Sequence, residues 1–65
     1  MLTKDQFRQR IEDYISKTQG MSATKFGVAA TGDPTFVFEL RKGRNVGLDL
    51  VQRVITFIDE TARAA

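Results

Sequence analysis

The sequence predicts an all-α fold in which residues 1–65 form one small domain of four helices. Apolar residues recur three or four positions apart in four separate stretches, the spacing of helices with one buried face. Residues that commonly begin or end helices flank these stretches. A chain of 65 residues has room for a single domain with a thin core, so its stability should be modest. The predicted helices span about 4–17, 23–30, 34–42 and 48–61.

The first helix begins at a capping box. In Thr3-Lys4-Asp5-Gln6, the threonine hydroxyl and the glutamine amide can each bond the other residue's backbone N–H. Leu2 and Phe7 are placed to pack across this helix start. The core-facing stripe consists of Phe7, Ile11, Tyr14 and Ile15. The charged residues on the other side are expected on a solvated face: Arg8, Arg10, Glu12 and Asp13.

Two short helices joined by a tight turn follow. Ser22 is a good N-cap for the first of them, and Thr31-Gly32 ends it. Asp33 is a candidate N-cap for the second, with Pro34 at its first position, where a missing N–H costs nothing. Gly43 is a natural stop. Helix, short turn and helix is the organisation of a helix-turn-helix motif.

Gly27 is unusual because glycine inside a helix costs about 1 kcal/mol relative to alanine. We expect it to provide room where the second motif helix crosses close to the first, facing Val37 and Leu40. On this basis Gly27→Ala should be tolerated, whereas Gly27→Leu should unfold the domain or lower its melting point sharply. The alternative is a generic helical hairpin that carries one poor helix former.

The segment FGVAATGDPTFVFELRKGR resembles the helix-turn-helix of the lambda-repressor/Cro-like family of prokaryotic and phage DNA-binding regulators. It is most similar to the variant with the pattern D-P-x-F-V-x-x-L-R-x-G-R. The matching residues are Asp33, Pro34, Phe36, Val37, Leu40, Arg41, Gly43 and Arg44. The likeness covers roughly residues 7–58, and Gly27 stands where alanine is commonest in the family. It implies a small four-helix, lambda-repressor-like DNA-binding domain.

The last helix should begin after Gly47. Its broad apolar stripe consists of Leu50, Val51, Val54, Phe57 and Ile58. Ile55 lies off the centre of this stripe and is expected to be partly exposed, where it would suit a dimer contact. The tail from Ala62 to Ala65 is expected to fray.

Composition argues against several classes of function. The chain has no cysteine and no histidine, which removes disulfides, thiolate chemistry and the commonest metal ligand and general base. No phosphate-cradling glycine loop or paired acid/base spacing is present, so neither an enzyme nor a cofactor or metal site is expected. No apolar run approaches the roughly 20 residues of a membrane-spanning helix, and the charged N-terminus is unlike a signal peptide. We expect a cytoplasmic, nucleoid-associated protein without a membrane partner.

Positive charge gathers near the end of the second motif helix. The net charge of +2 divides into +1 over residues 1–22, +2 over residues 23–47 and −1 over residues 48–65. Arg41, Lys42 and Arg44 account for most of the middle excess. Complementing the negative end of the helix dipole could explain one or two of these three residues.

The resemblance implies that the second motif helix lies in the major groove of double-stranded DNA. Thr35 is the first candidate for a base contact, through its hydroxyl or its methyl group. Glu39 could accept from a cytosine amino group, or could be a solvated helix residue. Phe38 is either a groove-facing apolar contact or a packing residue against the last helix.

The resemblance also implies phosphate contacts at both ends of the motif. The candidates are Ser22, Thr24, Lys25, Arg41, Lys42, Arg44 and Asn45. Asp33 would repel phosphate, so its presence is better explained by capping. The family usually binds paired half-sites as dimers, which implies a homodimer, and we expect the last helix to join the two copies. The alternative function is a protein-interaction domain of the same fold that docks on RNA polymerase or another regulator.

Overall fold

In a computed structural model, which describes residues 3–64 and the side chains of residues 3–62, the chain is all-helical. The helices of this described part are α1 (Lys4–Lys17), α2 (Ala23–Thr31), α3 (Phe36–Arg41) and α4 (Leu48–Ala64). α2 packs against α3 and α4, and α1 packs against α4. The predicted all-α class is therefore confirmed.

The helix starts use the caps that the sequence predicts. Thr3 Oγ1 accepts from the Gln6 N–H at 3.1 Å, and Gln6 Oε1 accepts from the Thr3 N–H at 2.9 Å. At α2, Ser22 Oγ accepts from the Lys25 N–H at 3.1 Å. The predicted packing of Leu2 lies outside the described residues. These bonds satisfy backbone donors that a helix start leaves free.

One core joins all four helices. Its fully buried side chains are Ile11, Phe26, Phe36, Val37, Leu40 and Val54. The predicted stripes are confirmed, since their remaining members Tyr14, Ile15, Leu50, Val51 and Phe57 are buried or pack against this core. Ile55, predicted to be partly exposed beside the α4 stripe, is half-buried against the same core. Tyr14, Phe26 and Phe57 meet edge to face, with ring centroids 5.4–5.8 Å apart. Aromatic rings prefer this arrangement because the positive edge of one meets the negative face of the next.

The predicted start of α3 at Pro34 is wrong by two residues. The Phe36 N–H donates to the Asp33 carbonyl at 3.2 Å. A bond between residues three positions apart is typical of a 3₁₀ turn, so residues 34–35 form a tighter turn than an α-helix. Asp33 nevertheless caps this turn as predicted, because its Oδ1 accepts from the Thr35 N–H at 2.9 Å. Regular helix then begins at Phe36 and ends at Arg41, one residue before the predicted end.

Glycines end both motif helices. Gly32 follows α2 with φ +80°, and Gly43 follows α3 with φ +100°. Side chains rarely allow these left-handed angles, whereas glycine adopts them freely. After Gly43 the Arg44 N–H returns to the Glu39 carbonyl at 3.1 Å, which closes the end of α3.

The expectations for Gly27 need correction. A Cβ at this position would overlap the carbonyl oxygen of Asp33 and would lie 3.4 Å from the Cβ of Phe36. Its neighbours are therefore the turn backbone and Phe36, rather than Val37 and Leu40. The expectation that Gly27→Ala is tolerated is wrong, because the first carbon of any side chain already meets the backbone of the turn.

The expectation that the chain frays from Ala62 is also wrong for residues 62–64, where α4 continues to Ala64. Alanine has the highest helix propensity of all residues, which favours this extension. Thr61 Oγ1 also donates back to the Phe57 carbonyl at 2.5 Å within the helix.

Candidate nucleic-acid interface

α3 and the turn before it divide into a buried face and an outward face. Phe36, Val37 and Leu40 are buried in the core. Residues at i, i+3, i+4 and i+7 lie on one side of a helix. The outward stripe, which we call the α3 face, consists of Thr35, Phe38, Glu39 and Lys42. Thr35, Phe38 and Lys42 are exposed and Glu39 is half-buried.

Thr35 is fixed by Asp33. Its hydroxyl donates to Asp33 Oδ1 at 2.8 Å, and its N–H donates to the same oxygen at 2.9 Å. These bonds, with the cation of Arg44 nearby, lower the pKa of the Asp33 carboxyl. The hydroxyl proton of Thr35 is thus already donated to Asp33, while its oxygen lone pairs and its methyl group remain available to a partner.

Phe38 is the aromatic residue of the α3 face. It is 42% exposed and lies outside the buried core. Its ring is therefore accessible to a partner, as a groove-facing contact requires. The guanidinium carbon of Arg41 lies 5.7 Å from the centroid of its ring, within the range of a cation–π contact.

Arg41 also forms a fork to α1. Its Nε donates to Glu12 Oε2 at 2.7 Å, and its second terminal nitrogen donates to Glu12 Oε1 at 2.8 Å. The hydrogen bonds from Arg41 lower the pKa of Glu12, and the same bonds raise the pKa of Arg41. The sequence assigned Glu12 to a solvated face, and no pattern within α1 marks it as the partner of a residue 29 positions away.

The other candidate cations differ in the hydrogen bonds and ion pairs that their side chains already make. Arg44 lies 3.8 Å from Asp33 Oδ2, a loose ion pair between exposed side chains. Lys25 Nζ donates to the Gly20 carbonyl at 3.1 Å. Among residues 3–62, Lys42 is exposed and has neither a hydrogen bond nor an ion pair from its side chain. Lys42 is therefore the most available cation of the predicted set.

The remaining candidates lie at the start of α2 and in the loop after α3. Ser22 and Thr24 are exposed at the start of α2, where Ser22 serves as the N-cap. Asn45, in the loop after α3, accepts from Lys4 Nζ at 3.0 Å. The same ammonium group donates to the Gly43 carbonyl at 2.6 Å. Lys4 thus ties the start of α1 to the loop after α3, a contact that the sequence did not suggest.

Within residues 3–64, no helix combines the length and the apolar character needed to cross a membrane. A scan against family models and searches of curated proteins and of solved structures give no match to this chain. The function has to be inferred from the site itself.

Proposed function

We propose that this domain is a lambda-repressor-like, sequence-specific DNA-binding regulator of transcription, of prokaryotic or phage type, and that α3 enters the major groove. One observation carries the proposal: α3 is anchored by three buried side chains, while its opposite side presents the α3 face to solvent. A groove-reading helix needs both properties, because it must be rigidly held and also accessible along one side. Such a protein would work at the nucleoid.

The α3 face offers three kinds of base contact. The Thr35 oxygen can accept from the amino group of adenine or cytosine, since its own proton is held by Asp33. The ring of Phe38 can pack on the methyl group of thymine. The carboxylate of Glu39 can accept from the amino group of cytosine.

Phosphate contacts would flank these base contacts. Lys42, Arg44 and Asn45 follow α3, and Ser22, Thr24 and Lys25 surround the start of α2. Free backbone N–H groups and cations at such positions attract phosphate oxygens. We propose that two copies bind paired half-sites about one helical turn apart, joined through α4, where Leu48 is 79% exposed.

The test begins with selection of a binding sequence from a random pool of duplex DNA by the purified chain. Binding to the selected duplex and to a scrambled duplex is then measured across a range of salt concentrations. Thr35→Ala should reduce the preference for the selected sequence. Lys42→Ala should weaken binding to both duplexes alike and lower the salt slope by about 0.9.

The proposal fails if the chain selects no sequence, or if the Thr35 and Lys42 variants behave identically. Lys17→Ala is a matched control, because Lys17 is an exposed cation at the end of α1, outside both the motif and the proposed contact between copies on α4. It should leave both the preference and the salt slope unchanged.

A protein-docking domain is the second candidate function. Exposed apolar side chains favour it: Val28 is 52% exposed, Phe38 42% and Leu48 79%. Such a domain would bind RNA polymerase or another regulator through apolar contacts that change little with ionic strength. Binding to DNA that falls steeply with salt would instead support the first function.

A further inference from the structure

Arg41 differs from Lys25, Lys42 and Arg44, the other cations predicted to contact phosphate, because it is held by both a carboxylate and an aromatic ring. Both carboxylate oxygens of Glu12 accept from its guanidinium, at 2.7 and 2.8 Å. A planar fork of this kind fixes the direction of the guanidinium as well as its position. It connects the last turn of α3 to the middle of α1.

The same guanidinium lies beside Phe38, the aromatic residue of the α3 face. Arg41 and Phe38 are three residues apart on one helix, and the guanidinium carbon is 5.7 Å from the ring centroid. A cation held by the Glu12 fork therefore limits the directions in which the Phe38 ring can turn. Lys42, the next residue, has no such contacts among residues 3–62.

We infer that Arg41 is a positioning residue for base recognition and does not neutralise a phosphate. Through Glu12 it fixes the rotation of α3 relative to α1, and through its stacking contact it orients Phe38. This inference rests on the proposed DNA-binding function and assigns a specific role within it. Base discrimination then depends on the Arg41–Glu12 pair, while the salt dependence of binding depends on the exposed cations beside it.

The two roles of an arginine respond differently to lysine. A lysine keeps the positive charge and can still contact a phosphate, but a single ammonium cannot reproduce the planar fork. Arg41→Lys therefore separates positioning from phosphate neutralisation without removing a charge. Arg10→Lys is the matched control, because Arg10 also pairs with a carboxylate of another helix, Asp59 at 3.1 Å, on the α1–α4 side.

The experiment compares affinities for the selected and scrambled duplexes at several salt concentrations, after circular dichroism has shown that each variant is folded. Arg41→Lys should lower the discrimination ratio about twofold, the size expected for losing one partly exposed ion pair, and should keep the wild-type salt slope. Glu12→Gln should give a similar loss of discrimination. The double variant should lose no more than either single variant, because both act through one pair. Arg10→Lys should leave the ratio unchanged.

Two results would overturn the inference while leaving DNA binding intact. One is an Arg41→Lys variant with wild-type discrimination. The other is an Arg41→Gln variant whose salt slope falls by about 0.9, as expected for loss of a phosphate contact. Wild-type protein that shows no salt-dependent binding to duplex DNA would overturn the proposed function, and this inference with it.

Discussion

Two neighbouring residues of α2, Phe26 and Gly27, pack in opposite ways. Phe26 is fully buried and meets the rings of Tyr14 and Phe57 at centroid distances of 5.4 and 5.6 Å. Gly27 packs through its bare backbone, and the Asp33 carbonyl occupies the space that a side chain would need. One region is filled by large side chains, and the other depends on the absence of one.

The difference indicates where this small domain tolerates change. Side chains in an aromatic cluster can rotate and repack around a smaller apolar neighbour. The backbone at Gly27 cannot adjust in this way, because the Asp33 N–H donates to the Gly27 carbonyl at 3.2 Å and holds the turn against α2. We therefore expect the region around Gly27, which positions α3, to be more sensitive to substitution than the aromatic cluster around Phe26.

Gly27→Ala should have the largest effect of the substitutions considered. The added methyl group would force the α2–α3 turn outward at a cost of about 3 kcal/mol, which leaves a net loss of about 2 kcal/mol after the gain of about 1 kcal/mol in helix propensity. Urea denaturation followed by circular dichroism measures this loss.

Gly47→Ala is the control, because a Cβ at Gly47 has nothing within 4 Å and that glycine has no positive φ. The account of the turn would be wrong if the two alanine variants had the same stability.

Phe26→Leu should come next, with a melting temperature lowered by roughly 6–12 °C. The substitution removes two edge-to-face contacts and leaves a partly refilled space, which corresponds to about 1.5 kcal/mol. Differential scanning calorimetry measures the shift. A larger loss than that of Gly27→Ala would reverse the comparison between the two regions.

Asp33→Ala should have a smaller effect, lowering the melting temperature by about 5 °C through loss of the cap on the α2–α3 turn. Asp33→Asn should behave like wild type in this measurement, since an amide oxygen can accept the same bonds from Thr35. Equal losses in the alanine and asparagine variants would indicate that charge, rather than capping, is what Asp33 contributes.

The smallest effect should be the acid sensitivity of the Glu12–Arg41 pair, which joins α1 to α3. Arg41 holds the pKa of Glu12 below its ordinary 4.5, so the pair stabilises the fold above that pH and loses its contribution as pH falls through the lowered pKa. Because both side chains are partly exposed, we expect at most about 0.5 kcal/mol.

Denaturation of wild type and Glu12→Gln at pH 7 and pH 3 isolates this contribution, since the two proteins differ only at Glu12. The stability difference between the two should shrink at the lower pH. A difference that stays constant would contradict the role given to the pair.

The sequence was sufficient for features that depend on nearby residues. The capping box of Thr3, the cap of Ser22 and the stop at Gly43 each involve atoms within a few positions, and the periodic apolar residues identify the core. The path of a turn depends on its backbone angles, and no pattern of residues in this sequence predicts them. For that reason the start of α3 and the partner of the close contact at Gly27 were predicted incorrectly, although the closeness itself was predicted.

The candidate site likewise contains features that local spacing predicts and features that depend on distant residues. The outward positions of Thr35 and Lys42 follow from the helical period, and the structure agrees with both. The fork between Glu12 and Arg41 could not be predicted, because nothing local indicates which of several carboxylates a basic residue will meet across the fold. The open choice for Phe38 also required the orientation of α3 relative to α4.

The central claim is that the α3 face is the surface that meets DNA. Titrating isotope-labelled protein with its selected duplex, and following backbone amide signals by nuclear magnetic resonance, tests this claim most directly. We predict that the largest shifts fall on residues 35–45 and 22–25, while exposed residues of α1 such as Asp13 and Ser16 change little. Shifts centred on α4, with residues 35–42 unaffected, would contradict the account.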